Sequence, residues 1–318
     1  MIPLENAVAV SGLTKYYNNI PVVDHISFNV RVGEIFGFLG PNGAGKTTTM
    51  NMLTGLTEPS EGSAALFGYD IQREALAAKR QLGIVPEISN IYDDLPAWDN
   101  LIFTAELYHV GRRERTKRAT ELLNLFDLFD RRTEKVKGFS KGMKRRITLT
   151  MGLMSNPRLL FLDEPTSGLD VHSTLIIKDV MKQLNEEGVT IFMTTHNIEE
   201  ASVTCERVAI IHKGKIAAID APEKLKTAIE SVQSIEVAFE RTPSEIVHDL
   251  QNLPLISEVH KAGDKFRLYT HNPAGALSSL CEYATKNDLR PLSVNTFGPS
   301  LEDVFVRLTE IRTTPEEE

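Results

Sequence analysis

Cysteine is nearly missing: only Cys205 and Cys281 occur in 318 residues, in unrelated contexts and without metal-like spacing. That pattern excludes a disulfide scaffold and fits a reducing compartment. Long hydrophobic runs are missing too. No apolar stretch approaches the roughly 18–20 residues that a membrane-crossing helix needs, so direct membrane insertion is not expected. The opening "MIPLENAVAVSG" carries Glu5 and no basic n-region, which does not fit a secretory signal. Basic charge is outnumbered, with 35 Lys and Arg against 43 Asp and Glu, for a net charge of −8. A protein built to grip nucleic acid carries the opposite balance, so no nucleic-acid partner is expected. What remains is ordinary for a globular chain, 42% apolar and 25% charged, and its length suits one or two domains.

Residues 35–50 read "IFGFLGPNGAGKTTTM". The apolar run from Ile35 to Leu39 predicts a strand, and Met50, Leu53 and Leu56 recur at helical spacing beyond a Gly-rich loop. The loop fits G-x-x-x-x-G-K-[ST] at Gly40, Gly45, Lys46 and Thr47. Average residue frequencies produce that pattern in roughly one chain of this length in a hundred. Its glycines let successive backbone N–H groups turn inward around phosphate oxygens without Cβ clashes. The helix N-terminus adds partial positive charge. Lys46 can reach the β- and γ-phosphates of a nucleotide, and the Thr47 hydroxyl can ligate Mg2+.

A second chemical signal lies far downstream, in "RLLFLDEPTSGLD" at 158–170. Leu159 to Leu162 form a continuous apolar run, the mark of a strand buried on both faces of a parallel sheet. Two carboxylates follow at its C-terminal end, where open α/β sheets place their ligands. Asp163 is placed to hold Mg2+, directly or through water, as the partner of Thr47. Glu164 points to the other side of the strand and can polarise an attacking water. An Asp-Glu pair after a strand is also a common loop start or helix cap; coupled to the phosphate loop, catalysis is the stronger reading. Another buried run, "VTIFMTTH", places His196 at a strand end. Read alone it is either structural or a hydrogen-bond donor to a transferring phosphoryl group.

The stretch "GFSKGMKRR" at 138–146 crowds four basic residues around a Ser and two glycines. Alone, it reads as a solvated, basic helix start. Together, "GPNGAGKTT", "FSKGM", "LLFLDEPTSGLD" and "TTHNIEEA" resemble the motifs of an ABC-type ATPase in order and approximate spacing. The resemblance covers roughly residues 5–225 and is to the nucleotide-binding subunit of an ABC transporter. It implies an α/β P-loop NTPase fold with an inserted helical subdomain. It also implies ATP as the substrate, with Mg2+, and "FSKGM" as the signature motif, usually LSGGQ.

In that family two ATPase domains pack head to tail, each ATP lying between one P-loop and the signature of the other copy. The resemblance therefore implies that Ser140 and Gly142 face a γ-phosphate held by a second copy or a related ATPase subunit. It makes Gly40, Pro41, Asn42, Gly43, Ala44, Gly45, Lys46, Thr47 and Thr48 the ATP cradle, and Tyr17, with Tyr16 as the fallback, the adenine-stacking ring. Ser167 to Asp170 become the loop that communicates between sites. Glu164, His196 and Lys46 become catalytic, with Thr47, Asp163 and Glu87 around the metal. Two departures stand out. Glu87 replaces the family's usual Gln, and a carboxylate there weakens ATP binding unless Mg2+ or a basic neighbour compensates. Lys141 and Met143 replace a Gly and a Gln of the signature. Similar variants occur in ATPases of ABC-2-type exporters, including drug-resistance and sodium-export relatives. The implied partner is then an ABC-2-type transmembrane permease, and the implied location is cytoplasmic, peripheral on the inner face of the cell membrane. The rival is a soluble ABC ATPase acting on ribosomes or DNA, which the single P-loop and the absence of sustained heptads disfavour.

The stretch between Lys46 and Asp163 is far longer than one βα unit needs. Residues near 88–157 read as helical, with Leu101, Ala105, Leu107 and Tyr108, then Leu122, Leu125, Phe126 and Phe129, as apolar positions. They predict the helical subdomain, whose groove, by the resemblance, receives a short helix of the permease. An ATPase domain is expected over 1–230, with a hairpin turning at Lys213-Gly214. Residues 234–297 alternate strand-like and helix-like segments in the order β-α-β-β-α-β, that of a ferredoxin-like unit, so a small α+β domain is expected over 231–312. A closing helix is capped by Ser300, and a disordered tail is expected over 313–318.

Overall fold

The computed structural model describes residues 6–228, 233–243, 246–298 and 300–310. The expected tail at 313–318 and the expected domain boundary at 230 and 231 lie outside these residues. The chain divides into two compact units, Met1–Pro222 and Glu223–Glu318.

The first unit opens with two long strands, β1 (Asn6–Tyr17) and β2 (Ile20–Arg31), then β3 (Ile35–Leu39) and helix α1 (Lys46–Leu53). After these come β4 (Glu61–Leu66), β5 (Tyr69–Asp70), α2 (Ala75–Lys79) and β6 (Leu82–Val85). Three helices follow: α3 (Ala97–Leu107), α4 (Arg112–Leu125) and α5 (Lys141–Gly152). The unit continues through β7 (Leu159–Asp163), α6 (Val171–Glu186), β8 (Thr190–Thr195), α7 (Ile198–Thr204), β9 (Arg207–His212) and β10 (Lys215–Asp220). Helix α8 (Pro222–Ala228) follows.

One sheet, in the order β2-β1-β4-β5, is antiparallel. The other runs β10-β9-β3-β8-β7-β6, parallel except for its edge strand β10. Every residue of β3, β7 and β8 is buried, as expected of central parallel strands covered on both faces. Phenylalanines fill the space between the sheets: Phe28 stacks on Phe36 with centroids 5.8 Å apart, and Phe161 meets Phe192 at 5.2 Å. Rings of this size supply the largest apolar areas in a core. The hairpin joining β9 to β10 turns at Lys213 and Gly214, both with positive φ, as a two-residue turn requires.

Helices α3, α4 and α5 pack on one another through Leu101, Ala105, Leu122, Leu123 and Ile147, all buried. Leu107 and Tyr108, apolar positions in the sequence pattern, are exposed instead, because α3 ends at Leu107 and the chain turns away.

The second unit contains β11 (Gln233–Phe239), α9 (Ile246–Gln251), β12 (Glu258–Ala262), β13 (Lys265–Thr270), α10 (Pro273–Lys286), β14 (Pro291–Phe297) and α11 (Leu301–Glu310). Its antiparallel sheet runs β12-β13-β11-β14, and its core joins Ile235, Val237, Phe266 and Leu268 to Leu250 and Leu280 of the helices. This is the ferredoxin-like order the alternation predicts. Ser300 caps α11 as expected, its hydroxyl accepting from the Asp303 N–H at 3.1 Å.

Candidate active site

Adjacent parallel strands β3, β8, β7 and β6 end at the same edge of their sheet, and each delivers a polar group there. The turn after β3 forms the Gly-rich loop. Gly43 and Gly45 have φ of 81° and 106°, and a Cβ on Gly45 would lie 2.8 Å from the Val22 carbonyl oxygen. Only glycine fits that backbone. Helix α1 begins there without a side-chain cap, so its first N–H groups stay available to an anion.

Lys46, almost fully buried, folds back over the loop. Its Nζ donates to Gly40 O at 2.7 Å and Pro41 O at 3.3 Å, and lies 3.3 Å from Glu164 Oε1. Thr47 Oγ1 sits 3.2 Å from Asp163 Oδ2, and Thr194 Oγ1 donates to the other oxygen of that carboxylate. Glu164 has φ of 47°, a left-handed conformation that costs a non-glycine residue about 1–2 kcal/mol. That bend sends its carboxylate away from Asp163: Oε2 accepts from His196 Nδ1 at 2.9 Å. Oε1 is buried without a hydrogen-bond partner among the described residues, its ion-pair contact with Lys46 being outside hydrogen-bond geometry. A buried oxygen left open in this way can accept from a water entering the cavity.

A cavity of about 540 Å³ is lined by Val22, Pro41, Asn42, Gly43, Gly45, Lys46, Thr47, Thr48, Glu87, Glu164, Ser167 and His196; Asp163, buried beside Thr47, does not line it. Its glycine loop and α1 N-terminus suit an anion, beside the hard oxygens of Thr47 and Asp163 and a carboxylate with an open lone pair. Thr47, Asp163 and Glu87 suit Mg2+, which takes few protein oxygens and keeps several waters.

The chain matches the ABC transporter family over residues 23–167. It is 36% identical to the linearmycin resistance ATP-binding protein of Bacillus subtilis (strain 168), over 94% of this chain and 96% of that protein. The chain belongs to the ATP-binding subunits of ABC transporters. It is 33% identical to the daunorubicin/doxorubicin resistance ATP-binding protein of Streptomyces peucetius, over 95% of this chain and 93% of that one. The solved ATP-binding subunit of an ABC transporter superposes with a TM-score of 0.65 at 29% identity, covering 70% of this chain and 92% of the other. A dimeric, post-hydrolysis ATP-binding cassette holding ADP and Pi superposes at 0.61 and 27% identity, over 67% and 98% of the two chains.

In this ATP-binding subunit the signature segment stands outside the cavity. Ser140 caps α5, its hydroxyl accepting from the Met143 N–H at 3.2 Å. Gly142 packs against the start of α6, where Asp170 accepts from Ser173 N at 2.8 Å and from Ser173 Oγ at 2.9 Å. Those bonds, the backbone one foremost, hold the Asp170 carboxyl below its ordinary range. Tyr17 is half-exposed at the end of β1 and does not line the cavity; Lys15 Nζ lies 5.4 Å from its ring centre.

Three contributors of this ATPase were given no role by the motifs, although Thr194 and Glu200 stand within "TTHNIEEA". Thr194 supplies its hydroxyl to Asp163 and its carbonyl oxygen to the Glu164 N–H at 3.1 Å. Glu200, buried, accepts from Thr195 Oγ1 at 2.9 Å and from Thr166, bracing the loops on either side of the cavity. Arg145, counted in the sequence among a wet basic cluster, is 5% exposed. Burial pushes its guanidinium down to about 10, against the opposing pull of Asp163, Glu87 and Glu164. Thr in an otherwise apolar strand, and the second turn of a capped helix, were the available signals.

Proposed function

We propose that this ATPase drives a separate ABC-2-type membrane permease in outward transport, through ATP-dependent closure of two copies head to tail. Either a second copy or a related ATPase subunit completes the pair. One observation carries the reading. Lys46, Thr47, Glu164 and His196 line one cavity, with Asp163 bonded to Thr47 beside it, while Ser140 and Gly142, on a helix N-terminus, stand outside it. An anion in that cavity would find a complementary partner in a second α5 N-terminus.

In this reading the glycine loop, with Thr48, grips the triphosphate, Tyr17 stacks on adenine, and Lys46 leaves its carbonyl partners for phosphate oxygens. Thr47 and Asp163, with Glu87, hold Mg2+, which neutralises phosphate charge when bound. Glu164 accepts a proton from water through Oε1, and His196 steadies the γ-phosphate from the next strand. Ser140 and Gly142 of the partner close the site, and Asp170 sits at the seam between the two. Binding favours the closed pair and hydrolysis releases it, which rocks the helical subdomains against the permease.

The relatives' names, drug resistance and Nod factor export, support outward transport as the direction. No helix among the described residues is long and apolar enough to cross a membrane, so attachment to the inner face runs through the permease. Fractionation of the producing cell tests this. The subunit should sediment with membranes and move to the soluble fraction when the cognate permease gene is deleted. Sedimentation unchanged by that deletion would count against a permease partner, and recovery with ribosomes would favour a soluble ABC ATPase.

A further inference from the structure

One face of the signature helix carries the segment that holds Glu87. From α5, Lys144 Nζ lies 2.8 Å from Asp93 Oδ1, and Thr148 Oγ1 lies 2.9 Å from Ser89 Oγ. Between them Arg145 Nη1 donates to Pro86 O and, at 3.3 Å, to Glu87 O. The same guanidinium reaches the neighbouring strand: Nη2 donates to Asp163 O at 2.5 Å and Nε to Pro165 O at 3.1 Å. Residues 144, 145 and 148 are neighbours on a helix surface, so three successive points of the 86–93 segment hang from one rigid element.

Arg145 forms no ion pair with a carboxylate among the described residues. Its charge is balanced by four backbone carbonyls at and beyond the C-terminal ends of β6 and β7. Only a planar fork of five donors can span two segments in this way; a lysine offers three donors at a single point. Its positive charge also lies behind Glu87 and Asp163, the basic neighbour that a carboxylate in place of the family's usual Gln requires.

Building on the head-to-tail reading, we infer that Arg145 is a positioning residue that couples the two ATP sites of the closed pair. The N-terminus of α5 serves the partner's ATP, while Glu87 and Asp163 serve the chain's own. Arg145 joins them rigidly, so closure of the signature on one nucleotide sets the carboxylates around the other. A lysine at 145 keeps the positive charge behind Glu87 and Asp163 and leaves the P-loop untouched, so nucleotide binding by a single open chain should change little in Arg145→Lys while the rigid link is lost.

The test compares wild type, Arg145→Lys and Thr148→Val for thermal melting, binding of a fluorescent ATP analogue to the monomer, and phosphate release against ATP concentration. For Arg145→Lys, monomer binding should stay within about threefold, kcat should fall about tenfold or more, and the Hill coefficient should drop from about 2 toward 1. Thr148→Val, which leaves the buried charge in place, should lower the Hill coefficient in the same direction by less. It decides the matter if Arg145→Lys does not fold. A cooperative wild type beside variants of unchanged Hill coefficient overturns the inference alone, whatever happens to kcat. Wild-type turnover without cooperativity overturns the head-to-tail reading and the inference with it.

Discussion

Replacing Gly142 by alanine should damage this ATPase within a single chain, before any partner is involved. A Cβ there would lie 2.0 Å from Ser173 Oγ, 2.7 Å from Ser173 Cβ and 3.1 Å from Asp170 Oδ2. The hydroxyl could rotate away at the cost of its 2.9 Å bond to Asp170. The Cβ of Ser173 cannot, because it is fixed to the first turn of α6, so α5 and α6 must move apart. Overpacking of this kind costs about 1–3 kcal/mol, and weakening the α6 cap adds about 1 kcal/mol. The gain in helix propensity from Gly to Ala offsets up to about 1 kcal/mol. The net is a loss of about 1–4 kcal/mol, which for a unit of this size lowers Tm by roughly 2–16 °C. Trp98, the only tryptophan, lies in the first unit, so its fluorescence follows the melt of that unit. The double variant Gly142→Ala with Ser173→Gly removes both close contacts and should recover part of the loss, a non-additive cycle. A Gly142→Ala melt within a degree of wild type, or strict additivity with Ser173→Gly, would refute the packing described here.

Lys46→Ala should leave the fold intact by circular dichroism but lower phosphate release by about a hundredfold or more, since the group proposed to meet the transferring phosphate is gone. Turnover at half the wild-type rate would remove Lys46 from the mechanism. Asp170 supplies a pH test. Its carboxyl is held below its ordinary 3.8 in the folded chain by Ser173. The unfolded state therefore binds the proton more tightly, and the stabilisation is present above about pH 4 and lost as pH falls through the depressed value. Asp170→Asn keeps an acceptor for the Ser173 N–H without that titration. Its deficit against wild type should be visible at neutral pH and shrink in acid; a deficit constant with pH would contradict the assignment.

Much of the site was legible because its chemistry is local. The Gly-rich loop, Asp163 with Glu164, and His196 each follow an apolar run that folds as a fully buried parallel strand, and sheet topology alone then brings their ends together. Glu87 follows the same logic at the end of β6 and does reach the cavity. The opening strands are harder to see: β1 changes register between Val10 and Leu13 and again before Lys15, which breaks the two-residue alternation that marks a strand. Arg145 was hidden for a different reason. In sequence it is indistinguishable from exposed Lys141, and its burial arises only when α5 docks over the ends of β6 and β7. Non-local docking of this kind leaves no periodicity to read.

If two chains share each ATP, trapping the nucleotide should trap the pair. Glu164→Gln should slow hydrolysis by about 10²–10⁴-fold while keeping the shape of the cavity, so bound ATP persists. Light scattering of that variant, with and without Mg-ATP, then reports the assembly directly. One chain mass, 35.4 kDa, is expected without nucleotide and a pair of chains with it. A variant that binds ATP stoichiometrically yet keeps the mass of one chain at every concentration would contradict that sharing.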